Sequence, residues 1–313
     1  MPDPDLPLPE NPEPEPSQRE IAAASAEGIE KHTQRLNARE IFEAACDTAR
    51  EELHRPALGL TFSAIVGGII IGISALAVAL IHAAWGTVHG VGLLAAMVYP
   101  FGFIAVIIGR AQFFTENTLY PVILVLSERH QLRRALWFGA LILGANLLGT
   151  LIFAWLAVGS QALQAPMIAA LAAVGRHAAI HPDGHIFWSA VIAGWLMALV
   201  AWMVTASRWT TGQIMVTWML TFVIALGGFD HCVATSAEIL SAVLAGAVSP
   251  GGYFHWLWAA VLGNTAGGVV LVSLLNYGQV KAGQANAGPA GPAAPPGSSA
   301  ARPHEPQNNV PGS

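Results

Sequence analysis

The sequence predicts an all-α integral membrane protein with six transmembrane helices, arranged as an inverted 3+3 repeat whose second and fifth helices are broken. Three observations predict it. Of the 313 residues, 54% are apolar and only 11% charged, a balance far from that of a soluble domain. Six apolar segments are long enough to cross a bilayer, which takes about 20 helical residues. Two of them, the second and the fifth, are too long for one crossing and carry a polar interruption near the middle.

Taken in order, residues 1–34 open with "PDPDLPLPENPEPEP", an acidic, Pro-rich stretch with little to bury, and are expected to be a disordered tail. No basic n-region with a cleavage site stands at the start, so the first spanning helix is expected to direct its own insertion. Residues 35–55 are expected to form a cytoplasmic amphipathic helix, because Ile41, Phe42, Ala45, Ala49 and Leu53 fall near one face opposite a charged one. Such a helix suits packing or an interface better than a calmodulin-like target role.

The transmembrane domain covers 56–278. Plain spans lie near 57–82, 135–160, 186–206 and 254–277, while 91–126 is interrupted by "FFTEN" and 214–247 by "GGFDHCVATS". The order is plain, broken, plain, twice over. An odd number of spans per half forces opposite orientations, and "GANLLGT" (144–150) and "LGNTAGG" (262–268) occupy the third span of each half. Interrupted segments at corresponding places in inverted halves point to a solute site near the midplane. Residues 279–313 are Gly/Pro/Ala-rich and are expected to be a second disordered tail.

Lys and Arg set the orientation. Both termini, "SERHQLRR" at 127–134 and Arg208 share one side, whereas the opposite loops, including 161–185, contribute only Arg176. The positive-inside rule therefore places both tails in the cytoplasm. The net charge of −5 comes largely from the N-terminal tail and predicts no nucleic-acid partner. Cys46 and Cys232 are too few and too separated for a disulfide framework or a metal site and are expected to be small buried side chains. Neither a metal nor a cofactor is expected.

Arg110 and Glu116 sit inside the second segment, in "GRAQFFTEN". A charge at the bilayer centre costs at least about 2.5 to 3.5 kcal/mol, so both are expected to face protein interior or a water-filled path. On one continuous helix a six-residue separation leaves them about 120° from sharing a face, and the break alters that geometry. Two readings stand: an ion pair that staples the interrupted helix, or Arg110 as a source of positive potential.

"GRAQFFTEN", "GANLLGT", "GGFDHCVAT" and "VLGNTAGG" resemble, in order and spacing, the formate/nitrite transporter family over roughly residues 40–278, and the "GRAQFFTEN" variant resembles its YfdC-like branch. The resemblance implies an aquaporin-like fold, a homopentamer with one pore per protomer in the bacterial inner membrane, and passage of small monovalent anions or their neutral acids. It places His231 on the family's central pore histidine, Thr115 on its partner in the first break, Asn264 on the sixth-span pore asparagine and Phe114 on a constriction aromatic. Two departures matter. Trp137 stands at or next to the family's third-span Lys, and Ile224 stands where formate channels carry an aromatic.

Each of these residues has a chemical role to offer. Imidazole changes charge near neutral pH, so His231 can bind an arriving anion or pass it a proton. Asp230 is expected to fix the broken backbone or orient that ring. Thr115 and Asn264 can satisfy loop groups or touch the solute. Asn146, Glu116 and Asn117 are expected to tie down the first break, since unpaired backbone in lipid costs several kcal/mol per group.

Three classes compete. A channel or proton-coupled transporter for a small monovalent solute, in contact with membrane lipid, accounts for the breaks and the midplane His. An aquaporin-like pore for a neutral solute is the alternative, favoured by the missing Lys and opposed by the lack of N-P-A pairs. An enzyme is disfavoured, because the consecutive Asp230, His231 and Cys232 cannot converge on one substrate from regular structure.

Overall fold

The structure, a computed structural model, describes residues 36–86 and 88–286. The tail assigned to 1–34 and most of that assigned to 279–313 lie outside these residues.

Helix α1 (Ala38–His54) starts in a capping box. The Asn37 side chain accepts from the N–H groups of Arg39 and Glu40, both at 3.0 Å, and Glu40 accepts from the Asn37 N–H at 2.7 Å, which satisfies donors that the first turn leaves free. Pro56 follows Arg55, which is pushed to extended backbone and ends the helix. The buried face carries Ile41, Phe42, Ala45, Cys46, Ala49 and Leu53. Burial pushes the Cys46 thiol up.

Six helical segments among the described residues are long and apolar enough to cross a membrane. Helix α2 (Ala57–Trp85) is followed by α3 (Val91–Val98) and α4 (Pro100–Ile108), then by a non-helical stretch, a 3₁₀ turn (Glu116–Thr118) and α5 (Tyr120–Ser127). Helix α6 (Leu132–Ala154) runs on into a π-helical turn (Trp155–Gly159). After α7 (Ala165–Ala179) come α8 (Asp183–Ala206) and α9 (Thr210–Gly227), a second non-helical stretch at 228–233, and α10 (Ala234–Leu244). Helix α11 (Pro250–Ala266) continues through a π-helical stretch (Gly267–Leu274) into α12 (Leu275–Asn286).

Two details differ from the sequence reading. The 161–185 stretch, expected as a loop, contains α7. Its small and apolar residues bury Leu171, Ala172 and Gly175, and a Cβ on Gly175 would overlap the Glu238 carbonyl of α10. The last helix also runs past residue 279 to Asn286.

Helix α1 packs on α5, α8 and α12. Arg50 reaches Glu128, in the turn after α5, at 2.8 Å, and this hydrogen-bonded guanidinium holds the Glu128 carboxyl below its usual range. The closest backbone approaches join α2 to α6 and α8 to the last helix. A Cβ on Gly68 would overlap the Asn146 carbonyl, and one on Gly194 the Asn264 carbonyl. In lipid, where apolar burial alone does not drive helices together, small residues at such crossings allow tight van der Waals contact.

Candidate functional site

The two non-helical stretches meet at the centre of the bundle, and each is held by one asparagine. In the first, Asn146 accepts from the Phe114 N–H at 2.9 Å and donates to the carbonyls of Gln112, 2.9 Å, and Ala64, 2.7 Å. In the second, Asn264 accepts from the Cys232 N–H at 2.7 Å and donates to the carbonyls of Asp230, 2.9 Å, and Ala190, 2.7 Å. A serine completes each set: Ser63 Oγ accepts from the Gln112 N–H at 3.1 Å, and Ser189 Oγ from the Asp230 N–H at 2.9 Å. The backbone groups freed by leaving the helix are thus re-paired by polar side chains of neighbouring helices, as a dry interior requires.

These bonds put Phe113 and His231 in equivalent places. His231 is fully buried. Its Nδ1 accepts from the backbone N–H groups of Val233, 3.3 Å, and Ala234, 3.0 Å, at the start of α10. The free N–H therefore belongs to Nε2, and it donates to Thr115 Oγ1 at 2.7 Å. Thr115 keeps its own hydroxyl hydrogen for a further acceptor. Phe113 stacks on the imidazole, centroids 5.3 Å apart, and Phe103 meets it edge-on at 5.1 Å.

The sequence-predicted residues fall into three groups. His231, Thr115, Asn264, Asn146 and Asp230 are gathered around the breaks. Asp230 does not orient the His231 ring; its Oδ1 accepts from Trp256 Nε1 at 2.9 Å. Phe114, expected as the constriction aromatic, turns instead toward Gly139 of α6. The ring against His231 is that of Phe113. Trp137 is 52% exposed on the outer surface of the single protomer. Ile224 is fully buried and lines a cavity beside Asp230.

Arg110 is exposed, with φ at 55°, and Glu116 is half-buried. Among the described residues no ion pair within 4 Å joins them, and Arg110 lies within electrostatic reach of Glu116. A hydrogen-bond network holds the first non-helical stretch. Gln112 donates to Glu52 of α1 at 2.7 Å, Asn117 donates to Gln112 at 2.8 Å, and Glu52 pairs with Arg55 at 2.9 Å. No group of His, Cys, Asp or Glu among the described residues has a metal-holding arrangement.

Sequence reasoning missed Phe103, Gln112, Phe113, Ser63, Ser189, Trp256 and Glu238. A signal for the serines was present: "SAIVGG" at 63–68 and "SAVIAG" at 189–194 begin with the two serines and carry next to them Ala64 and Ala190, whose carbonyls accept from Asn146 and Asn264.

A family model described as formate/nitrite transporter matches residues 39–278. The inner membrane protein YfdC of Escherichia coli (strain K12) is 34% identical over 257 residues, 79% of this chain and 80% of that protein. A probable formate transporter of Methanothermobacter thermautotrophicus is 28% identical, over 60% of this chain and 74% of that protein. Among solved structures, an FNT family ion channel superposes with a TM-score of 0.67 at 20% identity, covering 77% of this chain and 98% of that one. A pentameric formate channel with formate bound superposes at 0.62 and 21% identity, covering 72% and 98%.

Proposed function

The chain belongs to the formate/nitrite transporter family, and on that premise we propose that it is a transmembrane channel or transporter for a small monovalent anion or its neutral weak acid, such as formate, nitrite or acetate. One observation carries the reading: the Thr115–His231 contact, 2.7 Å long and fully buried, joins the two breaks where a solute has to cross. Family membership leaves the neutral-solute alternative without support. The activity is transport rather than catalysis.

Matching asparagine and serine bonds at the two breaks support an inverted 3+3 repeat with broken second and fifth helices. A homopentamer is supported by the pentameric formate channel of similar fold. The inner membrane is supported by the E. coli relative, and cytoplasmic termini follow from the distribution of Lys and Arg.

In the proposed passage the anion or its neutral acid accepts the Thr115 hydroxyl hydrogen while that oxygen accepts Nε2–H of His231. A neutral ring held this way is a hydrogen-bond donor. It becomes a proton donor only after Nδ1 has gained a proton, which means leaving the Val233 and Ala234 N–H groups. Proton exchange at His231 is therefore coupled to loosening of the second break. Arg110, exposed at the other end of its stretch, supplies positive potential, and Asn264 and Asn146 hold the backbone that shapes the path. Phe103 and Phe113 narrow it.

The test is flux into proteoliposomes, with formate, nitrite, acetate, lactate and water measured in parallel. Faster passage of water than of any acid overturns the proposal.

A further inference from the structure

A cavity of about 900 Å³ opens at the end of the bundle remote from α1, bounded by α2, α3, α7, α9 and α10. Its titratable lining is unusual for an anion path. His82, Tyr99, His177, His181, Asp230 and Glu238 line it, and no Lys or Arg does. Asp230 is 4% exposed, and its Oδ2 is buried without a hydrogen-bond partner. Glu238, on the facing side of α10, is 7% exposed and lies within electrostatic reach of Asp230.

A row of imidazoles leads outward from these acids. The rings of His177 and His181 stand 5.3 Å apart and those of His181 and His185 4.5 Å apart. His181 and His185 are within electrostatic reach of Asp230. The other ionisable groups nearby are Tyr99, Tyr253, bonded to Ser236 at 3.1 Å, and the His255–Asp183 pair at 2.6 Å. Arg176 is exposed and off the lining.

Ionisable side chains at membrane depth are costly and mark ion or proton pathways. Two carboxyls within electrostatic reach of each other in one cavity, with no Lys or Arg on its lining, disfavour each other's ionisation. We propose that this cavity is a proton-loading site in which Glu238, with Asp230 beside it, protonates the weak-acid anion before it reaches Phe103, Phe113 and His231. The proposal rests on the weak-acid transport inferred above and deepens it. His231 is poorly placed to load the proton, since its Nδ1 is occupied by two N–H donors.

The step balances. An O–H bond of the Glu238 carboxylic acid breaks and an O–H bond forms on the anion, giving the neutral acid and a carboxylate. An imidazolium of the row then gives its N–H proton to that carboxylate and takes another from outside water. No electron is transferred.

The experiment uses the full chain in proteoliposomes, with labelled formate and a lumenal pH dye followed together between about pH 5 and 8, the range in which histidine titrates. Glu238→Gln is expected to assemble normally and to lose about tenfold or more of the proton-linked formate uptake near pH 7, with the smallest loss at the acid end. Glu238→Asp is expected to recover part of it. The triple variant His177→Gln, His181→Gln, His185→Gln is expected to keep uptake at acid pH and to fall behind the parent as pH rises.

A Glu238→Gln protein with the parent's proton-linked uptake and pH profile overturns the proposal. So does an equal loss in folded Glu238→Gln and Glu238→Asp at every pH, which marks a structural side chain. Infrared spectroscopy gives an independent readout: the parent is expected to show a protonated-carboxyl band that shifts in Glu238→Asp, and its absence overturns the proposal even if Glu238→Gln fails to assemble. A parent that moves no weak acid yet shows the band sinks the transport reading and leaves the proton on Glu238 in place.

Discussion

Phe113 and His231 stack ring on ring, their centroids 5.3 Å apart and their planes 14° from parallel, and each is the middle residue of a triplet pinned by one asparagine. Asn146 holds residues 112 and 114; Asn264 holds 230 and 232. The two breaks are thus built by the same bonds and differ in what the middle residue offers, an apolar ring on one side and a titratable one on the other.

Asn146→Leu and Asn264→Leu are expected to be similarly damaging. Each removes three hydrogen bonds to buried backbone, and each group left unpaired costs about 1 to 3 kcal/mol. Thermal unfolding in detergent should show a large drop in midpoint or loss of folded yield for both. An Asn264→Leu protein as stable as the parent would show that water or lipid re-pairs the break.

Glycine contacts provide a second matched pair. Gly68→Ala and Gly194→Ala are expected to destabilise by about 1 to 3 kcal/mol, the usual range for overpacking, because each new methyl meets an asparagine carbonyl across a helix crossing. Gly144→Ala, with open space around it, should be neutral in the same melting assay.

His231→Asn is expected to fold, since an Asn side chain can still accept from the Val233 and Ala234 N–H groups at the start of α10. Its flux should shift its pH dependence, because the imidazole bonded to Thr115 is gone while Glu238 and the histidine row remain. His231→Leu strands both N–H groups and should melt earlier than His231→Asn. Identical flux and pH profile in parent and His231→Asn would make the residue purely structural.

Arg110→Gln should lower anion flux while leaving the shape of the pH profile and the folded yield unchanged, as the side chain is exposed and unpaired with Glu116. Reduced folded yield would instead reveal an ion pair formed in the assembled protein.

Glu128 provides a pH test outside the membrane. Its carboxyl is held below the usual range by Arg50, so the contact stabilises the docked α1 above the ordinary Glu value of about 4.3 and is lost as pH falls through the folded value. Protease cleavage within α1 should rise on acidification in the parent. In Glu128→Gln it should already be raised at neutral pH and change little. Added salt should have a similar loosening effect, because both side chains are near solvent.

The sequence by itself determined the membrane class, the helical spans and the α1 face, because apolar length and 3.6-residue periodicity are local properties. It also marked two polar stretches, "FFTEN" and "GGFDHCVATS", near which the non-helical segments lie. The resemblance to the formate/nitrite transporter family pointed to His231, Thr115 and Asn264, and the cost of unpaired backbone in lipid pointed to Asn146. What the sequence left open depends on direction in space. Whether Phe113 or Phe114 faces His231 is decided by the path of a non-helical segment that Asn146 pins at the Phe114 N–H. Whether Arg110 meets Glu116 depends on the path of the chain after Ile108, which leaves them within electrostatic reach but without a 4 Å ion pair. Glu238 reads in sequence as one acid in "ATSAEIL", and only the packing of α10 against α7 and the second break brings it to the same cavity as Asp230 and the histidine row. Periodicity records which face of a helix is apolar. It does not record which buried groups from distant segments share a cavity, because that is set by long-range packing.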